Sequence, residues 1–172
     1  MRKVGIFPGS FDPIHEGHLA FALKALDFGI DTVYFMPEQA PRKKPKISNL
    51  SERKKDIEQV ISGKEKLGLI ALDQKIFSVE HTLSELDKLF PGDKLSLLIG
   101  DDVLRTIHQW EKLEELARKV ELLVATRTHF EKEIDQIFSD LYRFADFKYQ
   151  IIELNKNISS SQIRSEAIAD EL

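Results

Sequence analysis

Val4-Gly5-Ile6-Phe7-Pro8-Gly9-Ser10-Phe11-Asp12-Pro13-Ile14-His15-Glu16-Gly17-His18 is the stretch whose reading decides the fold. It opens as a short apolar strand, Val4 to Phe7, breaks at Pro8-Gly9, passes a polar turn with Asp12 and Pro13, and re-enters helix-periodic sequence at His18-Leu19. Strand, glycine-bearing loop and helix start in that order form a cradle for phosphate. The first N–H groups of a helix are unpaired and carry a partial positive charge, and glycine admits a ligand to the backbone. His15 and His18 sharpen the reading, because side chains three apart share one face of a first helical turn and both imidazoles can face one anion. A lone histidine here would ordinarily be a hydrogen-bonded core residue. No G-x-G-x-x-G follows this strand, and no G-x-x-x-x-G-K-[ST] occurs in the chain.

Outward from that stretch, strands and helices alternate. Residues 18–28 read as a helix with an apolar stripe and Gly29 as its C-cap, and Thr32–Met36 as a second strand ended by Pro37. This βαβ unit implies a parallel pair with a right-handed crossover. Residues 37–50 are irregular and hold the basic cluster Arg42-Lys43-Lys44-Pro45-Lys46. That cluster is either a solvated loop or one that closes over a polyphosphate at the carboxyl end of the sheet. Ser51–Ser62 reads as a helix with Ser51 as N-cap, Leu67–Leu72 as a third strand, and Ser78–Phe90 as a helix capped by Ser78 and closed by Pro91-Gly92. His81 on that helix reads as solvated.

Leu95–Ile99 is apolar but for Ser96, as suits a central parallel strand, and it leads into Gly100-Asp101-Asp102 and a helical pattern carrying Trp110. With two adjacent aspartates, one can cap the helix while the other faces the cleft. Trp110, the only tryptophan, is either a packing residue or a flat surface for stacking an aromatic ring. A fifth strand, Val120–Ala125, precedes Thr126-Arg127; a helix, Phe130–Leu141, and a last strand, Tyr149–Leu154, follow. His108 and His129 belong to no ligand spacing. Ile158-Ser159-Ser160-Ser161-Gln162-Ile163-Arg164 reads as a helix start whose serines can cap, or can join Arg164 in holding an anion. The fold class expected is α/β: a Rossmann-like open, mostly parallel sheet with helices on both faces, as a single domain over residues 1–172.

Composition narrows the class. A hydrophobic content of 42% with 31% charged residues fits a soluble globular chain of 172 residues with a real core. A formal net charge of −4 argues against a general nucleic-acid binder. Cysteine is absent, so no disulfide, thiolate metal site or cysteine nucleophile can form, which fits a reducing cytoplasm. No apolar run approaches a membrane span, and the strand that begins within a few residues of Met1 leads us to expect no signal peptide.

Ser10 through His18 resembles, position for position, the histidine-x-glycine-histidine signature of the nucleotidylyltransferase superfamily, and Ile158 through Arg164 matches its Ile-Ser-Ser-x-x-x-Arg signature. Within it the chain looks most like bacterial nicotinate-nucleotide adenylyltransferase. The matching residues are Leu97-Leu98-Ile99-Gly100-Asp101-Asp102 with Trp110, then Glu52-Arg53, Thr82-Leu83 and Arg127. Departures are Pro8 where glycine is usual, Ala40-Pro41-Arg42-Lys43 for Pro-Pro-His-Lys, and Ser78-Val79 for Tyr-Thr.

The resemblance implies adenylyl transfer from ATP, with Mg²⁺, to nicotinate mononucleotide. Nicotinamide mononucleotide, 4′-phosphopantetheine and a non-catalytic nucleotide-binding module remain alternatives. His15, His18, Lys43 and Arg164 are then the expected catalytic residues. ATP would lie against Gly9, Ser10, Phe11, His15, His18, Gly100, Asp102, Ile158, Ser159, Ser160 and Arg164. The acceptor would meet Asp12, Lys43, Thr82, Trp110 and Arg127.

Overall fold

The computed structural model describes residues 1–40, 46–73, 75–127 and 131–154. Among them, β1 (Lys3–Gly9), β2 (Thr32–Pro37), β3 (Leu67–Leu69), β4 (Lys94–Gly100), β5 (Val120–Thr126) and β6 (Tyr149–Glu153) form one sheet in the order β3-β2-β1-β4-β5-β6. Every neighbouring pair is parallel, so the sheet goes beyond the mostly parallel one expected. The helices are α1 (Glu16–Asp27), α2 (Leu50–Ile61), α3 (Val79–Leu89), α4 (Asp101–Leu104), α5 (Leu113–Lys119) and α6 (Glu131–Leu141). None of the described helices is long and apolar enough to cross a membrane.

The period-two alternation of the strands sorts the core into two layers. Ile6, Leu97, Ile99, Leu122 and Val124 face one way, with Leu83 and Leu86 of α3, Leu116 of α5 and Ile134 and Phe138 of α6. Phe7, Leu98, Leu123 and Ala125 face the other, with Phe21, Ala22 and Ala25 of α1 and Ile57 of α2. Both faces of β4 are covered, which is why Leu95–Ile99 is apolar but for the buried Ser96. Gly5 lets the middle of the sheet pack closely: a Cβ there would stand 3.0 Å from Leu98 Cδ1 and 3.1 Å from Val33 Cγ2.

Several local boundaries differ from the sequence reading. Strand β1 does not break at Pro8-Gly9 but continues through both, opposite Met36 and Pro37 of β2. Helix α1 starts at Glu16, two residues early, because His15 is its N-cap. Helix α2 is capped by Asn49, whose Oδ1 accepts from the Ser51 N–H at 2.7 Å, and not by Ser51. Strand β3 stops at Leu69 instead of Leu72. Its ladder runs through Val33 N–H to Lys66 O and Ile70 N–H to Phe35 O, and the β2 residue that would extend it is Pro37, which has no N–H to donate. The helical pattern around Trp110 is broken: α4 gives way to a 3-10 turn at Ile107–Gln109, and Lys112 takes a left-handed conformation (φ 56°) before α5. Thr106 begins the break, its Oγ1 donating to the Val103 carbonyl at 3.1 Å.

Leu98, with no exposed surface at the sheet centre, should carry a large cavity penalty. Leu98→Ala is expected to lower unfolding stability by about 2–5 kcal/mol in urea titration. Leu89→Ala, at a side chain 51% exposed, should change it by no more than about 0.5 kcal/mol.

Candidate active site

The site is made by strands that part. β1 pairs with β4 only as far as Ile6 opposite Leu97, while its pairing with β2 continues to Gly9 opposite Pro37. β4 likewise continues with β5 to Gly100 opposite Ala125. The carboxyl ends of β1 and β4 are therefore unpaired with each other, at the point where the strand order reverses direction, and open α/β sheets bind ligands in that crevice. The loop after β1 and the start of α1 line one side, and Gly100-Asp101-Asp102 the other.

The histidines are held by the helix they begin. His15 Nδ1 accepts from the Gly17 N–H at 3.0 Å, and His18 Nδ1 accepts from the His15 N–H at 3.1 Å, a reciprocal capping box built from two imidazoles. With each Nδ1 accepting, the hydrogen of each neutral ring is on Nε2. The rings stack at 3.7 Å between centroids and 22° between planes, so the two Nε2–H donors belong to one rigid pair. His15 is 8% exposed, and burial, reinforced by the positive charge of Arg127, lowers its pKa to about 4. It is neutral at neutral pH, a donor without a full charge. Arg127, exposed just past β5, is near enough for its charge to act on His15.

Aromatic packing orients His18. Its ring meets Phe11 edge-on at 5.0 Å and Phe7 at 5.9 Å. Phe11 also packs edge-on against Phe7 and Phe35. This packing holds the Phe11 backbone at φ 47°, a left-handed conformation uncommon outside glycine. Gly9 makes room for the same ring, since a Cβ there would stand 3.2 Å from it.

The remaining expected residues divide. At the end of β4 a Cβ on Gly100 would meet Asp102 Oδ1 at 2.5 Å, so glycine is needed for the Asp102 carboxylate to lie where it does. Asp101 takes the local partners, the Asp102 N–H at 3.1 Å and Arg105 at 3.5 Å, and Asp102 is exposed. Thr82 is buried in α3 and its Oγ1 accepts from the Ser78 N–H at 3.0 Å. With Phe77 it lines a small recess against the end of β2. Trp110 packs at 5.2 Å on Phe77 as a partly buried core residue, so it is a packing residue behind one wall of that recess. Asp12 is buried and its Oδ2 accepts from the Ser48 N–H at 3.1 Å, which directs it to the chain that returns from the basic loop. His81 is exposed. Lys43, Ile158, Ser159, Ser160 and Arg164 lie outside the described residues. Among the described residues no three His, Asp or Glu side chains come together as a metal site.

Two residues were not singled out for a role from the sequence. Arg53 is fully buried and gives its guanidinium hydrogens to four backbone carbonyls, those of Ser10, Glu38, Gln39 and Ser48. Burial lowers its pKa, against the opposing charges of Asp12 and Glu38. Glu38 donates its N–H to the Gly9 carbonyl at 2.9 Å and accepts the Phe77 N–H on Oε1 at 2.8 Å, so it ties the phosphate side to the recess. Arg53 did leave a signal: with Ile57, Val60 and Ile61 it occupies the inward stripe of α2, where a charge stands out. Glu38 left none.

The titration of His15 gives a test with a definite sign. An unfolded histidine titrates near 6.5 and this one near 4 when folded, so between those values the unfolded chain binds the extra proton. Its stability contribution is complete above about pH 6.5 and is lost as pH falls toward 4. His15→Asn keeps an acceptor for the Gly17 N–H but does not titrate. Between about pH 7 and pH 4.5 the wild type should lose on the order of 2 kcal/mol more than the variant in urea titrations; equal losses would show that His15 does not titrate as a buried group.

Comparison with known proteins agrees with this geometry. The family model described as cytidylyltransferase-like matches residues 6–166. The nicotinate-nucleotide adenylyltransferase of Bacillus subtilis (strain 168) is 32% identical over 152 residues, 84% of this chain and 80% of its own. The solved structure of Plasmodium falciparum nicotinic acid mononucleotide adenylyltransferase complexed with NaAD has a TM-score of 0.77 at 22% identity, covering 96% of this chain and 83% of its own. The same protein complexed with APC gives 0.74 at 21%, with the same coverage. At those identities the two structures speak to the fold. The family match and the Bacillus relative speak to descent: this chain belongs to the cytidylyltransferase-like family and, within it, to the nicotinate-nucleotide adenylyltransferases.

Proposed function

We propose that the chain transfers the adenylyl group of ATP to nicotinate mononucleotide, releasing pyrophosphate and forming nicotinate adenine dinucleotide in NAD biosynthesis. The observation that carries this reading is the stacked, backbone-locked pair His15–His18 at the crevice between β1 and β4. An acceptor phosphate oxygen attacks the α-phosphorus of ATP, a new P–O bond forms, and the bond to the bridging oxygen of the departing pyrophosphate breaks. The attacking oxygen is already ionised at neutral pH, so no general base is required. The work is to bring two anions together and to offset charge growing on the pentavalent phosphorus.

His18 Nε2–H donates to the α-phosphate and His15 to the polyphosphate, two neutral donors already oriented before the ligand arrives. Ser10 and Phe11 offer backbone N–H groups at Gly9, Ser159, Ser160 and Arg164 (after Ile158) hold the outer phosphates, and Lys43 supports them from the basic loop. Asp102 beside Gly100 accepts from ribose hydroxyls. Thr82 and Trp110 border the pyridine end, Arg127 adds positive charge near the reacting phosphates, and Asp12 acts on the acceptor side through Ser48. The N–H donors of the described crevice suit phosphate oxygens, and Mg²⁺, carried in with ATP, would supply charge neutralisation for the departing pyrophosphate. We place this reaction in the cytoplasm, catalysed by one domain over residues 1–172.

Pyrophosphate release tests the reading, with ATP and Mg²⁺ and with nicotinate mononucleotide, nicotinamide mononucleotide or phosphopantetheine offered separately and CTP in place of ATP. The nicotinate acceptor with ATP should be preferred. Preference for another acceptor would overturn the acceptor half, and no turnover with any would favour a binding module. His18→Ala should lower kcat by about 10²-fold or more with the fold intact, since one preorganised donor is lost; near-wild-type turnover would remove His18 from the site.

A further inference from the structure

Arg53 carries a charge that burial makes expensive, and it uses that charge on loops. Its side chain is 1% exposed. Nε donates to Ser48 O at 3.0 Å, one terminal nitrogen donates to Ser10 O and Glu38 O, both at 2.8 Å, and the other to Gln39 O at 3.3 Å. Ser10 is in the loop that follows β1, Glu38 and Gln39 are where the chain leaves β2, and Ser48 is where it returns to α2. The two ends of the basic loop and the phosphate-side loop thus meet on one guanidinium. Asp12 completes the arrangement, since its carboxylate takes the N–H of the same Ser48 whose carbonyl Arg53 takes.

Burying such a pair costs several kcal/mol per ion, and apolar residues of like volume are often at least as stabilising. A fold needing only to close α2 on the sheet would be served by an aliphatic side chain in line with Ile57. A planar fork with fixed donor directions sets the relative position of several backbones at once. We propose that Arg53, with Asp12 as its buried counter-charge, is a positioning residue for adenylyl transfer: it holds the phosphate-side loop and both ends of the basic loop in one register without touching substrate. This rests on the function proposed above for the site, but the clamp itself can be read without turnover.

Arg53→Lys keeps the charge and supplies three donors from one point in place of the fork. Hydrogen–deuterium exchange on the folded variant should rise in segments 9–13, 38–40 and 46–49 together and stay unchanged in β4. On the same protein kcat should fall about 10- to 100-fold, as a displacement near 1 Å can cause, with KM for ATP changing less than about threefold. Unchanged exchange in these segments would overturn the proposal. So would a uniform rise that includes β4, or an activity loss equal to the unfolded fraction. Should Arg53→Lys fail to fold, Asp12→Asn, which keeps an acceptor for Ser48 and removes the counter-charge, is read by the same two measurements and the same outcomes. A wild type inactive with every acceptor would refute the proposed reaction and leave the exchange result to decide the clamp.

Discussion

Two backbone N–H groups at the start of α1 fix the histidine pair around which the crevice is built. A helix begins with N–H groups that nothing inside it can satisfy, and here those of His15 and Gly17 are taken by the Nδ1 atoms of His18 and His15. One interaction thereby starts the helix, stacks the two rings, and sets which ring nitrogen carries the hydrogen. Gly17 between them is buried, and the aromatic side chains of Phe7 and Phe11 brace His18 from the sheet side. The site is rigid because the groups that would contact ligand are also the groups that terminate a helix.

The electrostatics follow the same economy. The chain is acidic overall, with a formal net charge of −4, yet its crevice offers donors to anions. It does so with neutral imidazole and with Arg127 at the open end of β5, and burial keeps His15 uncharged. Neutral donors fixed before binding need little reorganisation when charge develops. Among the described residues the one fully buried cation, Arg53, faces backbone carbonyls beneath the loops, where its charge is spread over four acceptors and balanced by Asp12 and Glu38.

The strand-loop-helix reading of residues 4–18 and the six strands were legible because all rest on local patterns. Apolar runs at parallel-strand length and two histidines at helical spacing each have one simple structural solution, whereas the expected break at Pro8-Gly9 yields to pairing with β2, which carries β1 on to Gly9. Boundaries that depend on a neighbour were not legible. β3 ends where β2 presents Pro37, and Asn49 caps α2 because the chain entering that helix reaches it first. The turn at Thr106 was missed because a threonine hydroxyl bonding back to Val103 leaves no periodic trace. Glu38 gave no signal at all, since its two bonds go to Gly9 and Phe77, far apart in the chain.

By itself the sequence determined the class of fold and the crevice edge, because hydrophobic period and turn chemistry act over a few residues. The sheet order, the parting of β1 from β4 beyond Ile6 and Leu97, and the joining of three loops on Arg53 were decided only in three dimensions. Each depends on which backbone groups find partners across distant segments, and a hydrogen bond between Arg53 and Ser10 has no counterpart in any local pattern.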